Sequence, residues 1–183
     1  MRIISGLYKG RNFYRPEGIR PAQGYVVKSL FDTLGQDLEG LVFLDLFAGS
    51  GAVGMEALSR GARHCTFVER DRRCVKVISQ NATLLGIEAY SLIAGDVFAN
   101  IKTFAAQEDR FDIVFCDPPY ERDMAKKSLK TLGAYDILQP ASIVIFKHEQ
   151  HEILPPQNGR LVRFKERKYG ATLLSFYQPD FTA

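Results

Sequence analysis

The most chemically specific run in the chain is Asp117-Pro118-Pro119-Tyr120, which closes the apolar stretch Phe111–Cys116. The prolines stiffen the backbone and lack N–H donors, so carbonyl oxygens are left uncommitted. An amine nucleophile carries N–H groups that need acceptors, and the Asp117 carboxylate and the Pro118 carbonyl can supply them. Held in that way, the nitrogen lone pair points at an electrophilic carbon for in-line attack, a gain made by positioning. Pro119 extends the stiff turn, and Tyr120 offers a flat ring on which a planar base can stack. Asp-Pro-Pro is also ordinary turn chemistry. Its place at the carboxyl end of a buried strand, one crossover from a glycine loop, favours the catalytic reading.

That loop reads Asp45-Leu46-Phe47-Ala48-Gly49-Ser50-Gly51 and follows the first buried strand. Glycines there let a ligand approach the backbone closely, and the next helix offers unpaired N–H groups at its start. Gly49-Ser50-Gly51-Ala52-Val53-Gly54 also satisfies the dinucleotide pattern G-x-G-x-x-G, with Glu69 at the end of the second strand as the acidic partner of a ribose. Asp45 separates the two cofactors. A pyrophosphate beside it would be repelled, whereas the ammonium and sulfonium of S-adenosylmethionine would be attracted. Phe47, Ala48, Ser50 and Arg70 flank these acids. Asp96-Val97 ends the third strand run, where Asp96 can accept from an adenine amino group, cap the following helix, or do both. Asp45, Phe47, Ala48, Gly49, Ser50, Gly51, Glu69, Arg70, Asp96 and Val97 therefore form the candidate cofactor set.

These residues need a scaffold of buried strands alternating with helices. Short apolar runs at Leu41–Leu46, Thr66–Val68, Ser91–Ala94, Phe111–Cys116 and Ser142–Phe146 read as strands covered on both faces. Helical spacing marks Val26–Leu34, Gly51–Arg60, Arg72–Leu85, Val97–Ala106 and Met124–Leu132. Arg160–Lys168 and Ala171–Tyr177, joined by Tyr169-Gly170, read as a terminal hairpin. The expectation is a doubly wound α/β fold with a mainly parallel seven-stranded sheet. Residues 1–24 form a small N-terminal hairpin appendage, with Arg2–Ser5 pairing with Arg11–Tyr14, and residues 25–183 form the catalytic domain.

The chain has 183 residues, 46% of them apolar and 25% charged, which suits one globular domain. Its net charge of +3 is uneven. Up to Leu30 the basic residues are Arg2, Lys9, Arg11, Arg15, Arg20 and Lys28, opposed by Glu17 alone. A second basic cluster spans Arg160, Arg163, Lys165, Arg167 and Lys168. Such patches on a near-neutral body fit a polyanion, and equally a solvated face. Tyr8, Phe13, Tyr14 and Tyr25 lie among the charges and can stack on bases or fill a hairpin core. Three cysteines without a Cys-x-x-Cys pair argue against disulfides and zinc, and no metal is expected. His148 and His151 lie beside Glu149 and Glu152 in a polar segment before Pro155-Pro156, which reads as a solvated loop. The start Met1-Arg2-Ile3-Ile4-Ser5-Gly6 lacks the apolar core of a secretory signal, and no run is long enough to span a membrane, so a cytoplasmic location is expected.

The Asp-x-Phe-x-Gly-x-Gly loop followed by Asp-Pro-Pro-Tyr resembles class I amino-methyltransferases. Arg2-Ile3-Ile4-Ser5-Gly6, Lys9-Gly10-Arg11, Arg20-Pro21, Glu56-Ala57-Leu58-Ser59-Arg60-Gly61-Ala62 and Lys168-Tyr169-Gly170 narrow this. The chain is similar over nearly its whole length to the bacterial 16S ribosomal RNA guanine-N2 methyltransferase family. The resemblance implies transfer of a methyl group from S-adenosylmethionine, leaving S-adenosylhomocysteine, to a guanine N2 amine in 16S rRNA of the small ribosomal subunit. It implies a monomer whose N-terminal hairpin contacts RNA, with Arg2, Lys9, Arg11, Arg20, Lys28 and Lys168 as the RNA-binding set. The chain departs from the family at Ala22-Gln23-Gly24-Tyr25, where Thr and an Asp-Arg pair are usual, and at Ala171, where Asp is usual. Two other readings stay open: a methyltransferase acting on another amine such as adenine N6 of DNA, and an RNA-binding assembly factor that keeps the fold without catalysis. An NAD oxidoreductase ranks third, disfavoured by Asp45 and by Asp117–Tyr120.

Overall fold

In the computed structural model, residues 1–16, 24–120 and 123–180 are described. After α1 (Gly24–Leu34) come β1 (Val42–Leu46), α2 (Ala52–Ser59), β2 (His64–Glu69), α3 (Arg72–Leu85), β3 (Tyr90–Ala94), α4 (Val97–Ala106), β4 (Phe111–Cys116) and α5 (Met124–Ala134). The chain ends in β5 (Leu138–Glu149), β6 (Gln157–Asn158), β7 (Leu161–Tyr169) and β8 (Thr172–Pro179). One sheet holds all of these strands in the order β3-β2-β1-β4-β5-β8-β7-β6. The pairs among β1 to β5 are parallel, and β5–β8, β8–β7 and β7–β6 are antiparallel.

The central strands are apolar along their length because both faces are covered. Phe43, Cys65, Phe67, Ile113, Phe115 and Ile145 point into a cluster closed by α1, α2 and α3. Leu44, Leu46, Val68, Val114, Cys116, Val144 and Phe146 point into the opposite cluster, closed by α4 and α5. α2 lies unusually close to the sheet because residue 54 is glycine: a Cβ there would stand 2.3 Å from the Phe67 ring and 2.6 Å from Cys65 Sγ. The side-chain oxygens of Asp71 and Asp96 cap α3 and α4 by accepting from Arg73 N and Ala99 N.

The doubly wound, mainly parallel sheet matches the expectation from sequence, with two corrections. It has eight strands where seven were expected, because Gln157–Asn158 adds a two-residue edge beside β7. The segment around His148 is also not a solvated loop. β5 continues to Glu149 because β8 runs antiparallel beside it, pairing His148 with Leu173 and Glu149 with Thr172. His148 is only 1% exposed. Its Nε2 lies 2.9 Å from Ser175 Oγ and its Nδ1 3.1 Å from the Glu149 carbonyl. His151 lies in an exposed turn.

Among the described residues, the N-terminal segment pairs through one isolated antiparallel bridge, Arg2 with Asn12, supported by Ile3 N donating to Arg11 O and Gly10 N to Ile3 O, each at 3.0 Å. The ladder stops early because α2 takes the next donors. Ile4 N and Ser5 N donate to the Glu56 carboxylate at 2.8 and 3.0 Å, and Leu7 N to Ser59 O at 2.7 Å. Glu56 also holds Arg60 at 2.8 Å, and that guanidinium stacks 4.5 Å from the centroid of the Phe31 ring. Tyr14 N donates to Asn81 Oδ1 at 2.7 Å, while Ile3 and Phe13 are buried in the same cluster as Met55 and Ile78. Among the described residues, no helix is long and apolar enough to cross a membrane.

Candidate active site at the sheet switch point

Strand order reverses between β1 and β4, and in open α/β sheets the crevice outside the carboxyl ends at such a point binds ligands. Asp45 and Phe115 are register partners there, as are Leu46 and Cys116, so the glycine loop after β1 and the Asp-Pro-Pro-Tyr run after β4 leave the sheet side by side. Asp45 is 1% exposed, and its Oδ2 accepts from Gly54 N at 3.0 Å. Burial pushes its carboxyl well above the ordinary carboxylate range. The Gly54 N–H opposes this, and the charges of Asp117 and Glu69 add to the rise. A cation brought beside these acids would relieve their mutual repulsion and favour the ionised form.

The loop is held open by its backbone. Phe47 adopts a left-handed φ of 57°, uncommon outside glycine, and Gly51 opens α2 with φ 75°. Gly49 N donates to Glu69 Oε2 at 2.7 Å, and Asp71 N to Glu69 Oε1 at 2.8 Å. Glu69 thus ties the loop to β2 and retains acceptor capacity beyond these two bonds. Asp96 is exposed at the start of α4, with its Oδ1 on Ala99 N at 2.9 Å; Val97 is buried beneath it and Arg70 is exposed at the end of β2.

Asp117 meets a partner that the sequence reading missed. Lys147, one residue past Phe146 on β5, places its Nζ 2.7 Å from both Asp117 oxygens and 3.2 Å from the Tyr120 hydroxyl. The same ammonium lies 5.3 Å from the centroid of the Tyr120 ring. Burial raises the Asp117 carboxyl above its usual value, and Lys147 works against that rise. Burial also weakens the Lys147 ammonium, but Asp117 and Tyr120 together outweigh it and the net shift is upward. The available signal was a lysine directly after a strand that pairs with the strand carrying Asp117.

A cavity of about 440 Å³ joins these parts. Asp45, Phe47, Ala48, Gly49, Ser50, Asp117, Pro118, Pro119, Tyr120 and Lys147 line it, whereas Gly51, Glu69, Arg70, Asp96 and Val97 lie outside its lining. Its far wall consists of Tyr25, Tyr169, Gly170, Ala171 and Thr172. Tyr25 and Tyr169 face each other with ring centroids 6.2 Å apart, and the Tyr169 hydroxyl bonds to Ser29 Oγ. The turn from β7 into β8 is thereby tied to the start of α1. The chain's departures at Tyr25 and Ala171 thus lie on the cavity wall, while Ala22 and Gln23 fall outside the described residues.

The candidate RNA-binding residues are scattered. Lys9 and Lys168 are exposed, on the N-terminal turn and on β7. Arg2 Nε donates to Gly10 O at 3.0 Å, and Lys28 pairs with Asp32 at 2.7 Å. Arg11 is exposed but lies along the end of α3, donating to the Leu84 and Leu85 carbonyls at 2.7 and 3.0 Å. Arg20 lies outside the described residues. Among the described residues, no cluster of His, Cys, Asp and Glu is arranged to hold a metal ion.

Comparison with known proteins extends this picture. A family described as "Conserved hypothetical protein 95" matches residues 1–178. "Ribosomal RNA small subunit methyltransferase D" of Haemophilus influenzae is 32% identical over 184 residues, spanning 97% of this chain and 93% of its own length. The solved structure of a hypothetical protein from Thermus thermophilus superposes with a TM-score of 0.86 at 30% identity, covering 97% of this chain and 99% of that one. An S-adenosylmethionine-dependent methyltransferase from Agrobacterium tumefaciens shares the fold, with a TM-score of 0.66 at 18% identity over 89% of this chain and 64% of its own.

Proposed function

The chain belongs to the family described as conserved hypothetical protein 95, and from that premise we propose that it methylates the exocyclic N2 amine of a guanine in 16S rRNA of the small ribosomal subunit. The observation that carries the reading is the meeting of Asp45 and Asp117 in one cavity at the switch point. The name of the Haemophilus relative supports ribosomal RNA as the substrate class. S-adenosylmethionine is the cofactor that fits. The buried Asp45 carboxylate favours a cation, the left-handed loop leaves backbone room, and Glu69 can accept from ribose hydroxyls. The reading takes the protein to be a cytoplasmic monomer with no need of a metal. Residues 1–24 would contact RNA through Arg2, Lys9, Arg11 and Arg20, assisted by Lys28 and Lys168, and residues 25–183 would carry the catalytic domain.

S-adenosylmethionine supplies a methyl group on a sulfonium and leaves as S-adenosylhomocysteine. Asp117 accepts one N–H of the guanine amine, and the Pro118 carbonyl accepts the other. This localises the nitrogen lone pair, which would otherwise delocalise into the ring, and aims it along the line of attack. As the new C–N bond forms, the nitrogen sheds one proton, which Asp117 is placed to take and pass to water. Tyr120, at the cavity rim, offers a stacking face for a base drawn out of its helix. The test is Asp117→Ala, assayed for cofactor binding by calorimetry and for methyl transfer. Turnover should fall by about 100-fold or more while the cofactor Kd changes little. Equal loss of both would refute the assigned role.

A further inference from the structure

We propose that Lys147 is a positioning residue of this site, its ammonium fixing the Asp117 carboxylate and the Tyr120 hydroxyl so that Asp117 meets the incoming amine as an acceptor. The inference rests on the methyl-transfer reading above. Its basis is geometric. The Lys147 side chain is only 11% exposed, and its ion pair is with Asp117. A lysine so covered is rare unless paired. One ammonium reaches both carboxylate oxygens at 2.7 Å and the Tyr120 hydroxyl at 3.2 Å, so the two polar side chains of the Asp-Pro-Pro-Tyr run share a single anchor on the neighbouring strand. Cys116 and Phe146 are register partners, so the strands themselves bring the next residues, Asp117 and Lys147, together.

The arrangement has a chemical consequence. An ionised carboxylate has about four acceptor positions, so contact with Lys147 leaves others for an amine N–H. A protonated carboxyl carries a donor and would oppose that N–H. Burial favours the protonated form of Asp117, the Asp45 carboxyl faces it from β1, and Lys147 on β5 resists protonation. Lys147 therefore sets how far toward acid pH the site can work, without touching the reacting atoms.

The test compares the whole protein with Lys147→Met, Lys147→Gln and Lys147→Arg. Turnover is measured from about pH 5.5 to about pH 9, together with cofactor Kd and thermal midpoint. In Lys147→Met and Lys147→Gln the acid limb of kcat should move up by about one pH unit or more, costing about fivefold or more at the wild-type midpoint and recovering at high pH. Lys147→Arg should restore the wild-type limb. In an Asp117→Asn background, Lys147→Met should cause little further loss. A wild-type pH profile in the folded Met or Gln variants, or the same loss at every pH, would overturn the inference and leave the functional reading standing. Should the Met variant fail to fold, the Gln variant and the double substitution carry the same decision. A wild-type enzyme that methylates no amine would sink the functional reading, and this inference with it.

Discussion

Replacing Asp45 with Asn should weaken cofactor binding while leaving the free protein as stable as before, or more so. The carboxylate is 1% exposed and accepts from Gly54 N in α2. A cation held about 4 Å from it would gain about 4 kcal/mol at an effective dielectric of about 20. Ionising a carboxyl that burial has pushed up takes back part of that gain, so the loss in Asp45→Asn should fall short of the full Coulomb figure yet reach about tenfold or more in Kd. The pH dependence has a definite sign. Because the folded-state pKa lies above the unfolded one, Asp45 adds stability at low pH and loses it as pH rises through the folded value. At neutral pH the free protein therefore carries a cost that Asn removes, while the amide oxygen can still accept from Gly54 N. Cofactor binding should tighten as pH rises through the free-state pKa of Asp45 and should release protons below it. Calorimetry in buffers of different ionisation enthalpy measures both the affinity and the proton count, and a thermal melt measures stability. An Asp45→Asn protein that binds S-adenosylmethionine as tightly as wild type would refute the reasoning, as would one that melts well below it.

Other substitutions test the framework. Glu56→Ala leaves the buried Arg60 without its carboxylate, though still bonded to Gln36, and frees Ile4 N and Ser5 N; it should cost about 3–5 kcal/mol, read as a lower urea midpoint, and a loss under about 1 kcal/mol would contradict the anchoring role. Lys9→Ala should lower RNA affinity and the salt slope by about one without changing the melt, whereas Arg11→Ala should also lower the melting temperature because Arg11 caps α3; identical behaviour of the two in the melt would contradict that division. Burial lowers the His148 pKa, so the stability it contributes is complete above about pH 6.5 and declines as pH falls below that. His148→Asn should flatten that decline in urea titrations, and an unchanged slope would assign it elsewhere.

Much of the scaffold was legible because strands buried on both faces leave continuous apolar runs and helices carry their own stop signals. Phe111–Cys116, Arg72–Leu85 and Val97–Ala106 fall where spacing and the Gly86 and Asp96 caps put them. Asp45 and Asp117 were legible as acids at the ends of such runs. Features that depend on a neighbouring strand were not. β5 was read as ending at Phe146 because Lys147 and His148 look like solvent residues, yet β8 pairs with both and Asp117, just past β4, supplies the charge that lets a lysine stay buried. The N-terminal pairing was read as a full hairpin because nothing local shows that Glu56, some 50 residues away, claims the Ile4 and Ser5 donors. Arg11 reads in sequence as a solvent-facing charge, and only its place against the end of α3 reveals its bonds to the last carbonyls of that helix. Tyr25 and Tyr169 are far apart in the chain and meet only across the cavity mouth.

The central claim is tested most directly by offering the protein radiolabelled S-adenosylmethionine together with small ribosomal subunits, and separately free 16S RNA, from a strain lacking the modification, then digesting the RNA and identifying the labelled nucleoside. The account predicts N2-methylguanosine. Label on adenine N6, or none despite measured cofactor binding, would contradict it and turn attention to another acceptor amine or to a binding role without catalysis.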